Sequence, residues 1–88
     1  MKFIPNWQEV ERVRKKIDEV PKKKGIESAL NSTFNTLYIA LMVLEHPENY
    51  AQLAGVVDWA VNEITGAKGR LYRLAGISTN AFWSVSYE

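Results

Sequence analysis

The run LYIALMVL, Leu37 to Leu44, constrains the fold of this chain more than any other segment. Every residue in it is apolar or aromatic, and it lies in a longer segment, residues 26–45, whose apolar residues recur at helical spacing. The main stripe of this helix consists of Ile26, Leu30, Phe34, Leu37, Leu41 and Leu44. A helix that is apolar on all sides is buried on all sides. The run therefore predicts either the central helix of a small bundle or a helix that a second copy of the chain covers.

Two further helices are predicted on either side of this one. Before it, Asn6 and Glu9 have the spacing of a capping box, in which Glu9 bonds back to the backbone N–H of Asn6, and Pro21 ends the helix. After it, Gly66 is expected to end the third helix. The stripes of these two helices are Val10, Val13, Ile17 and Val20, and then Leu53, Val56, Val57, Ala60, Val61 and Ile64. The three helices are predicted near residues 6–20, 26–45 and 48–65.

The C-terminal segment has a different pattern, because WSVSYE alternates apolar and polar residues from Trp83 to Glu88. A period of two is typical of a strand. A single strand has no partner in a helical monomer, so the segment is either a strand paired with another chain or an extended arm.

From the three predicted helices we expect one all-α domain over residues 1–88, a small bundle built on an antiparallel hairpin of the second and third helices. A capped N-terminal helix and a short C-terminal tail complete it.

Composition limits the class of protein. The apolar fraction of 47% is that of a folded chain, and the absence of cysteine excludes disulfides and zinc–thiolate sites. No segment reaches the roughly 18 apolar residues of a membrane span, and the N-terminus lacks the apolar run of a signal peptide. We expect a cytoplasmic protein that does not enter a membrane.

The net charge of +1 conceals a segregation of charge along the chain. Residues 1–24 carry eight basic and four acidic side chains, residues 25–66 carry five acidic and no Lys or Arg, and residues 67–88 carry three basic and one acidic. Charge blocks of this kind usually form solvated faces, and an acidic middle can also pair with basic ends, either within the folded chain or between copies. The apolar run Leu37–Leu44 and the strand-like tail without a partner predict a homo-oligomer.

Catalysis has little support in the sequence. His46 is the single histidine and lies beside Pro47, with no serine and carboxylate at the spacing of a triad. Asp58 and Glu63 are five residues apart, so they do not share a helix face. No metal motif occurs, and no cofactor is expected. The chain is interpreted as a non-enzymatic binding protein.

One candidate binding segment is RLYRLAGISTNAFWSV, which resembles a helix-turn-helix. The resemblance consists of Leu71 and Leu74 in a first helix, Ala75, Gly76, Ile77 and Ser78 in the turn, and Phe82 and Val85 in a recognition helix. It implies that Thr79, Asn80 and Trp83 face the bases, with Arg70 and Arg73 as further DNA contacts. A DNA-binding regulator is therefore one alternative function.

A second candidate is the lysine loop, residues Lys22, Lys23 and Lys24. The loop precedes the start of the second helix, where free backbone N–H groups and the helix dipole favour an anion. Ser28 adds a hydroxyl in the first turn, and Trp7 is the candidate for stacking on a base. These residues predict a site for a small phosphate-bearing ligand, such as a nucleotide.

The segment PKKKGIESALNSTFNTLYIALMVLE resembles the hairpin of phage anti-CBASS cyclic-oligonucleotide sponges. The comparable positions are Pro21, Lys24, Ala29, Leu30, Asn31 and Ala40. The resemblance implies a small helical oligomer that traps a cyclic nucleotide between subunits as a counter-defence protein, with Lys24 at a phosphate. A third alternative is a small inhibitor or accessory protein that binds another protein through its apolar helix face or its terminal strand.

Overall fold

The structure is a computed structural model that describes residues 2–78 and 80–87. In these ranges the chain is mainly helical, as predicted, but it also contains one short antiparallel pair of strands. The elements are β1 (Lys2–Pro5), α1 (Trp7–Glu19), α2 (Ile26–Glu45), a 3₁₀ helix (Pro47–Tyr50), α3 (Val56–Ala75) and β2 (Trp83–Ser86). None of the described helices is both long enough and apolar enough to cross a lipid bilayer.

The start of α1 confirms one half of the predicted cap. The Asn6 side chain accepts a hydrogen bond from the backbone N–H of Glu9 at 3.2 Å. The other half is wrong, because the backbone N–H of Asn6 donates to the carbonyl of Phe82 at 2.7 Å and not to Glu9. Beyond the cap, the apolar stripe is buried as predicted at Val10, Val13 and Ile17.

Helix α2 has the predicted bounds, but it is not buried on all sides. Its stripe is buried at Leu30, Phe34, Leu37, Leu41 and Leu44. In contrast, Ile39 is 54% exposed and Met42 is 49% exposed. One side of the apolar run therefore faces solvent in the single chain.

The prediction for the third helix is wrong at both ends. Residues 47–50 form a 3₁₀ helix, and α3 begins only after Gly55, whose φ of +73° interrupts the regular helical backbone. At the other end, α3 continues through Gly66 for nine further residues, because apolar side chains that face the core recur at Ala67 and Leu71. The helix ends at Gly76, which has a φ of +63°.

The glycines of α3 allow a direct test of these bounds. An added methyl group at Gly69 would meet nothing within 4 Å, so Gly69→Ala is expected to raise the free energy of unfolding by about 0.5–1 kcal/mol. Gly76→Ala makes the same chemical change in a left-handed backbone conformation and is expected to lower it by about 1 kcal/mol. Urea denaturation of both variants measures the difference. Equal effects would contradict a helix that ends at Gly76.

The terminal strands pair with each other. Strand β2 runs antiparallel to β1, with Phe3 opposite Val85 and Pro5 opposite Trp83. The rings of Phe3 and Trp83 pack with their centroids 5.4 Å apart. The predicted strand is thus confirmed, but the expectation that it needs another chain is wrong, because the N-terminal residues of the same chain supply its partner.

Helices α2 and α3 form the predicted antiparallel hairpin, and α1 packs against one side of it. Residues of α1 and α2 together line a cleft, in which Ile17 lies near Leu30 and Phe34. Two grooves along another side of the hairpin are lined by residues of α2 and α3 only, with Thr33 and Arg70 common to both grooves. The hairpin therefore has a face that α1 does not cover.

Candidate functional site

The lysine loop lies directly before α2, as predicted. Gly25 is the cap residue of α2, and no side chain caps the helix there. The backbone N–H of Ile26 donates to the carbonyl of Lys23 at 3.2 Å, while Glu27 is an acidic residue in the first turn. Because the start of a helix carries partial positive charge, an uncapped start beside three lysines favours an anion, and Glu27 opposes part of that preference.

A cleft of about 140 Å³ between α1 and α2 adjoins this loop. Its polar lining consists of Arg14, Asp18, Lys22, Glu27 and Asn31. Two cations and two carboxylates therefore share the cleft, with an amide between them. Ligand pockets for whole drug-sized molecules usually measure about 300–1,000 Å³, so this cleft suits one small polar group such as a phosphate.

Arg14 is held in place at the mouth of this cleft. Its guanidinium lies over the ring of Phe34, 5.3 Å from the centroid, and donates to the Tyr38 hydroxyl at 2.8 Å. A cation over an aromatic face gains electrostatic attraction and keeps its remaining N–H groups available. Arg14 was not among the residues predicted to bind a ligand. It lies on the helix that leads into the loop, eight residues before Lys22.

The other predicted ligand residues are only partly brought together. Lys23, Lys24 and Ser28 are exposed around the start of α2. Trp7 is remote from them, since it lies at the beginning of α1 and stacks on Tyr38 with 6.2 Å between centroids. The 13 residues of α1 span about 20 Å. The predicted base-stacking residue therefore lies at the end of α1 opposite to the one that leads into the lysine loop.

The helix-turn-helix arrangement is not formed. It requires a recognition helix across residues 79–85, but Trp83 begins β2, and its ring packs on Phe3. Thr79 lies outside the described residues. The backbone N–H of Asn80 donates to the Tyr72 hydroxyl at 3.0 Å. In β2, backbone groups of this segment are hydrogen-bonded to β1. A recognition helix could form only if these hydrogen bonds were broken.

The two arginines predicted to accompany that motif have another place in the fold. Arg70 and Arg73 lie on α3 and border the groove that α3 forms with the start of α2. The groove is mainly apolar, with Ile26, Leu71 and Leu74 among its lining residues. These arginines therefore flank an apolar groove between α2 and α3, and they do not accompany a recognition helix.

A buried polar cluster around Glu9 was not predicted from the sequence. Glu9 is 4% exposed, and both of its carboxylate oxygens accept hydrogen bonds from Arg12. Arg12 also donates to the carbonyl of Ser78 at 3.0 Å, which ties α1 to the segment after α3. The three-residue spacing of Glu9 and Arg12 could have indicated their pairing. Nothing in the sequence indicated that Ser78, 66 residues away, completes the cluster.

The electrostatics of this cluster favour an ionised Glu9. Burial by itself raises the pKa of Glu9, but the hydrogen bonds and positive charge of Arg12, together with the nearby polar groups of Tyr72 and Asn80, outweigh it and hold the pKa below its ordinary value. Burial raises the pKa of Tyr72, and the nearby carboxylate of Glu9 adds to that rise. The Tyr72 hydroxyl also donates to the carbonyl of Asn80. The cluster thus acts as a structural tie, with its polar groups engaged by protein partners.

The structure also bears on catalysis by His46 and on metal binding. His46 caps the end of α2, and its Nδ1 lies 3.5 Å from a carboxylate oxygen of Glu48 in an exposed position. In the part of the chain that the structure describes, no three potential ligand side chains are grouped to hold a metal ion.

Comparisons with known proteins give no match, whether with family models, with curated proteins or with solved structures.

Proposed function

We propose that this protein is a non-enzymatic binding protein that holds a phosphate-bearing small ligand at the lysine loop. The observation that carries the proposal is the uncapped start of α2, which lies directly behind Lys22–Lys24. Lys22 also lines the adjoining cleft together with Arg14. A phosphate in this place would meet the helix N-terminus and two kinds of cationic side chain.

In its more specific form, the proposal is a phage-type counter-defence sponge that sequesters a cyclic nucleotide between subunits. The size of the cleft supports a shared site, because about 140 Å³ accommodates a phosphate but not a nucleoside. The remainder of the ligand would then contact a second copy of the chain. Trp7, which is remote from the lysine loop of its own chain, is the proposed stacking residue from that second copy.

Removing one lysine tests the site. Lys24→Ala is expected to weaken binding of a cyclic nucleotide by roughly tenfold to a hundredfold, because one charge-assisted hydrogen bond is lost. Isothermal titration with a panel of cyclic di- and trinucleotides, and with inorganic phosphate, measures the effect. Lys15→Ala is the matched control, since Lys15 is an exposed lysine of α1 that lies outside the lysine loop and does not line the cleft.

The panel also separates the general proposal from the specific one. Heat from inorganic phosphate alone would support an anion site and contradict a nucleotide sponge. Equal affinities of wild type and Lys24→Ala for every ligand, or no heat from any of them, would show that the loop is only a solvated turn.

A second candidate function is that of a small accessory protein that binds another protein. The observation in its favour is the exposure of Ile39 and Met42, three residues apart on α2. Apolar residues at this spacing form part of a typical helix-docking surface. Ile39→Lys would abolish binding to such a partner and leave the affinity for a phosphate ligand unchanged.

A further inference from the structure

A stripe of residues along the uncovered face of α3 has a symmetric order. Its members recur at spacings of three and four residues, so they lie on one face of the helix. They are Trp59, Glu63, Gly66, Arg70 and Leu74, and we call them the α3 stripe. Trp59 and Leu74, at its two ends, are each 40% exposed. The stripe thus has an apolar residue at each end, an acidic and a basic residue inside them, and a glycine at the centre.

We propose that the α3 stripe is the interface of a two-fold symmetric dimer, in which α3 packs antiparallel to α3 of a second copy of this chain. In an antiparallel pair centred between residues 66 and 67, the residues that face each other lie at equal distances from that centre. Trp59 then faces Leu74 of the second copy, and Glu63 faces Arg70. Two-fold symmetry repeats both contacts, so the same stripe serves both copies.

The apolar ends of the stripe fit this arrangement. Leu74 borders a groove of about 300 Å³ between α2 and α3, which lies open in the single chain. Its apolar lining residues are Ile26, Ala29, Leu30, Leu71 and Leu74. Opposite Leu74, the indole of Trp59 from the second copy would enter this groove. Tryptophan side chains seated in apolar pockets are common anchors of protein interfaces.

The charged residues of the stripe, Glu63 and Arg70, form no ion pair in the part of the chain that the structure describes. The Nε of Arg70 has only a long hydrogen bond of 3.5 Å to the carbonyl of Gly66. Across the two-fold axis, each Glu63 would meet the Arg70 of the other copy. This complementarity of charge selects a second copy as the partner, because the basic and the acidic residue occupy equivalent positions about one centre.

The centre of the stripe permits a close approach of two helices. An added methyl group at Gly66 would meet only the guanidinium of Arg70, at an ordinary contact distance of 3.7 Å. The fold of one chain therefore does not require glycine at this position, although glycine inside a helix is less favourable than alanine by about 0.8–1.0 kcal/mol. In the proposed dimer, the absence of a side chain at Gly66 lets the second α3 approach closely at the two-fold axis.

Charge reversal tests the interface, and it does not depend on the ligand site. Wild type is expected to sediment at twice the chain mass of 10.0 kDa at micromolar concentration. Glu63→Arg alone and Arg70→Glu alone should each weaken the dimer about a hundredfold, since both symmetric contacts become repulsive. An equimolar mixture of the two variants should form a heterodimer, because all its cross-axis pairs are again of opposite charge. Lys15→Glu is the control for Arg70→Glu, because it makes the same change of charge at an exposed position of α1.

Circular dichroism of each variant checks that the helices remain, and sedimentation velocity gives the assembly state. A wild type that stays at 10.0 kDa up to its solubility limit would overturn the proposal. Dimers that persist in both single variants would place the interface on another face and would overturn it equally. So would a mixture in which the two monomeric variants fail to associate.

Discussion

Replacing Phe82 with alanine is expected to lower the free energy of unfolding by about 3–5 kcal/mol. Phe82 is only 1% exposed, and its ring stacks on Tyr72 with the centroids 5.5 Å apart. The substitution removes apolar surface from the core and leaves a cavity that the surrounding helices can fill only in part. A loss of this size is a large share of the total stability expected for a chain of 88 residues.

Urea denaturation followed by circular dichroism measures this loss. Tyr87→Ala is the matched control, because it removes an aromatic ring from the same C-terminal segment at a position that is 82% exposed. It is expected to change the free energy of unfolding by less than about 0.5 kcal/mol. Similar losses in both variants would mean that Phe82 is not a core residue and that the C-terminal segment does not pack against α3.

Glu9→Gln is expected to lower the free energy of unfolding at pH 7 by about 1.5–3 kcal/mol, the usual contribution of hydrogen bonds to a charged group. The amide keeps the shape of the side chain but not the charge, so its interactions with Arg12 weaken. Glu11→Gln makes the same change at an exposed position of α1 and should have little effect.

The pH dependence of this difference distinguishes charge from shape. Because the folded protein holds the pKa of Glu9 below its ordinary value, the ionised carboxylate stabilises the fold above the unfolded value of about 4.3. That contribution is lost as the pH falls through the lower folded pKa. The difference in the free energy of unfolding between wild type and Glu9→Gln should therefore be largest at pH 7 and decrease at acidic pH. A difference in the free energy of unfolding that is constant over this pH range would indicate that the variant loses packing and not charge.

Features that depend on residues close together in the chain could be predicted from the sequence. The bounds of α2 follow from the spacing of its apolar residues, and the buried stripe of α1 follows from the same rule. The cap that Asn6 forms on Glu9 spans three residues. The strand character of residues 83–86 also follows from a local alternation of apolar and polar side chains. In the candidate site, the same local rule placed the lysine loop at the start of α2.

Features that join distant segments depend on tertiary contacts and could not be predicted from local patterns. Strand β2 pairs with β1, which lies at the other end of the sequence. The alternating pattern of residues 83–86 indicates a strand, but it does not indicate which segment pairs with that strand. Arg12 hydrogen-bonds both to the buried carboxylate of Glu9 and to the carbonyl of Ser78. The contact with Ser78 exists only in the folded chain. Helix α3 continues past Gly66 because the side chains that follow pack into a core formed by α1 and α2. Burial against a distant segment contributes more free energy than the local preference of one glycine, and this explains why the local signal failed there.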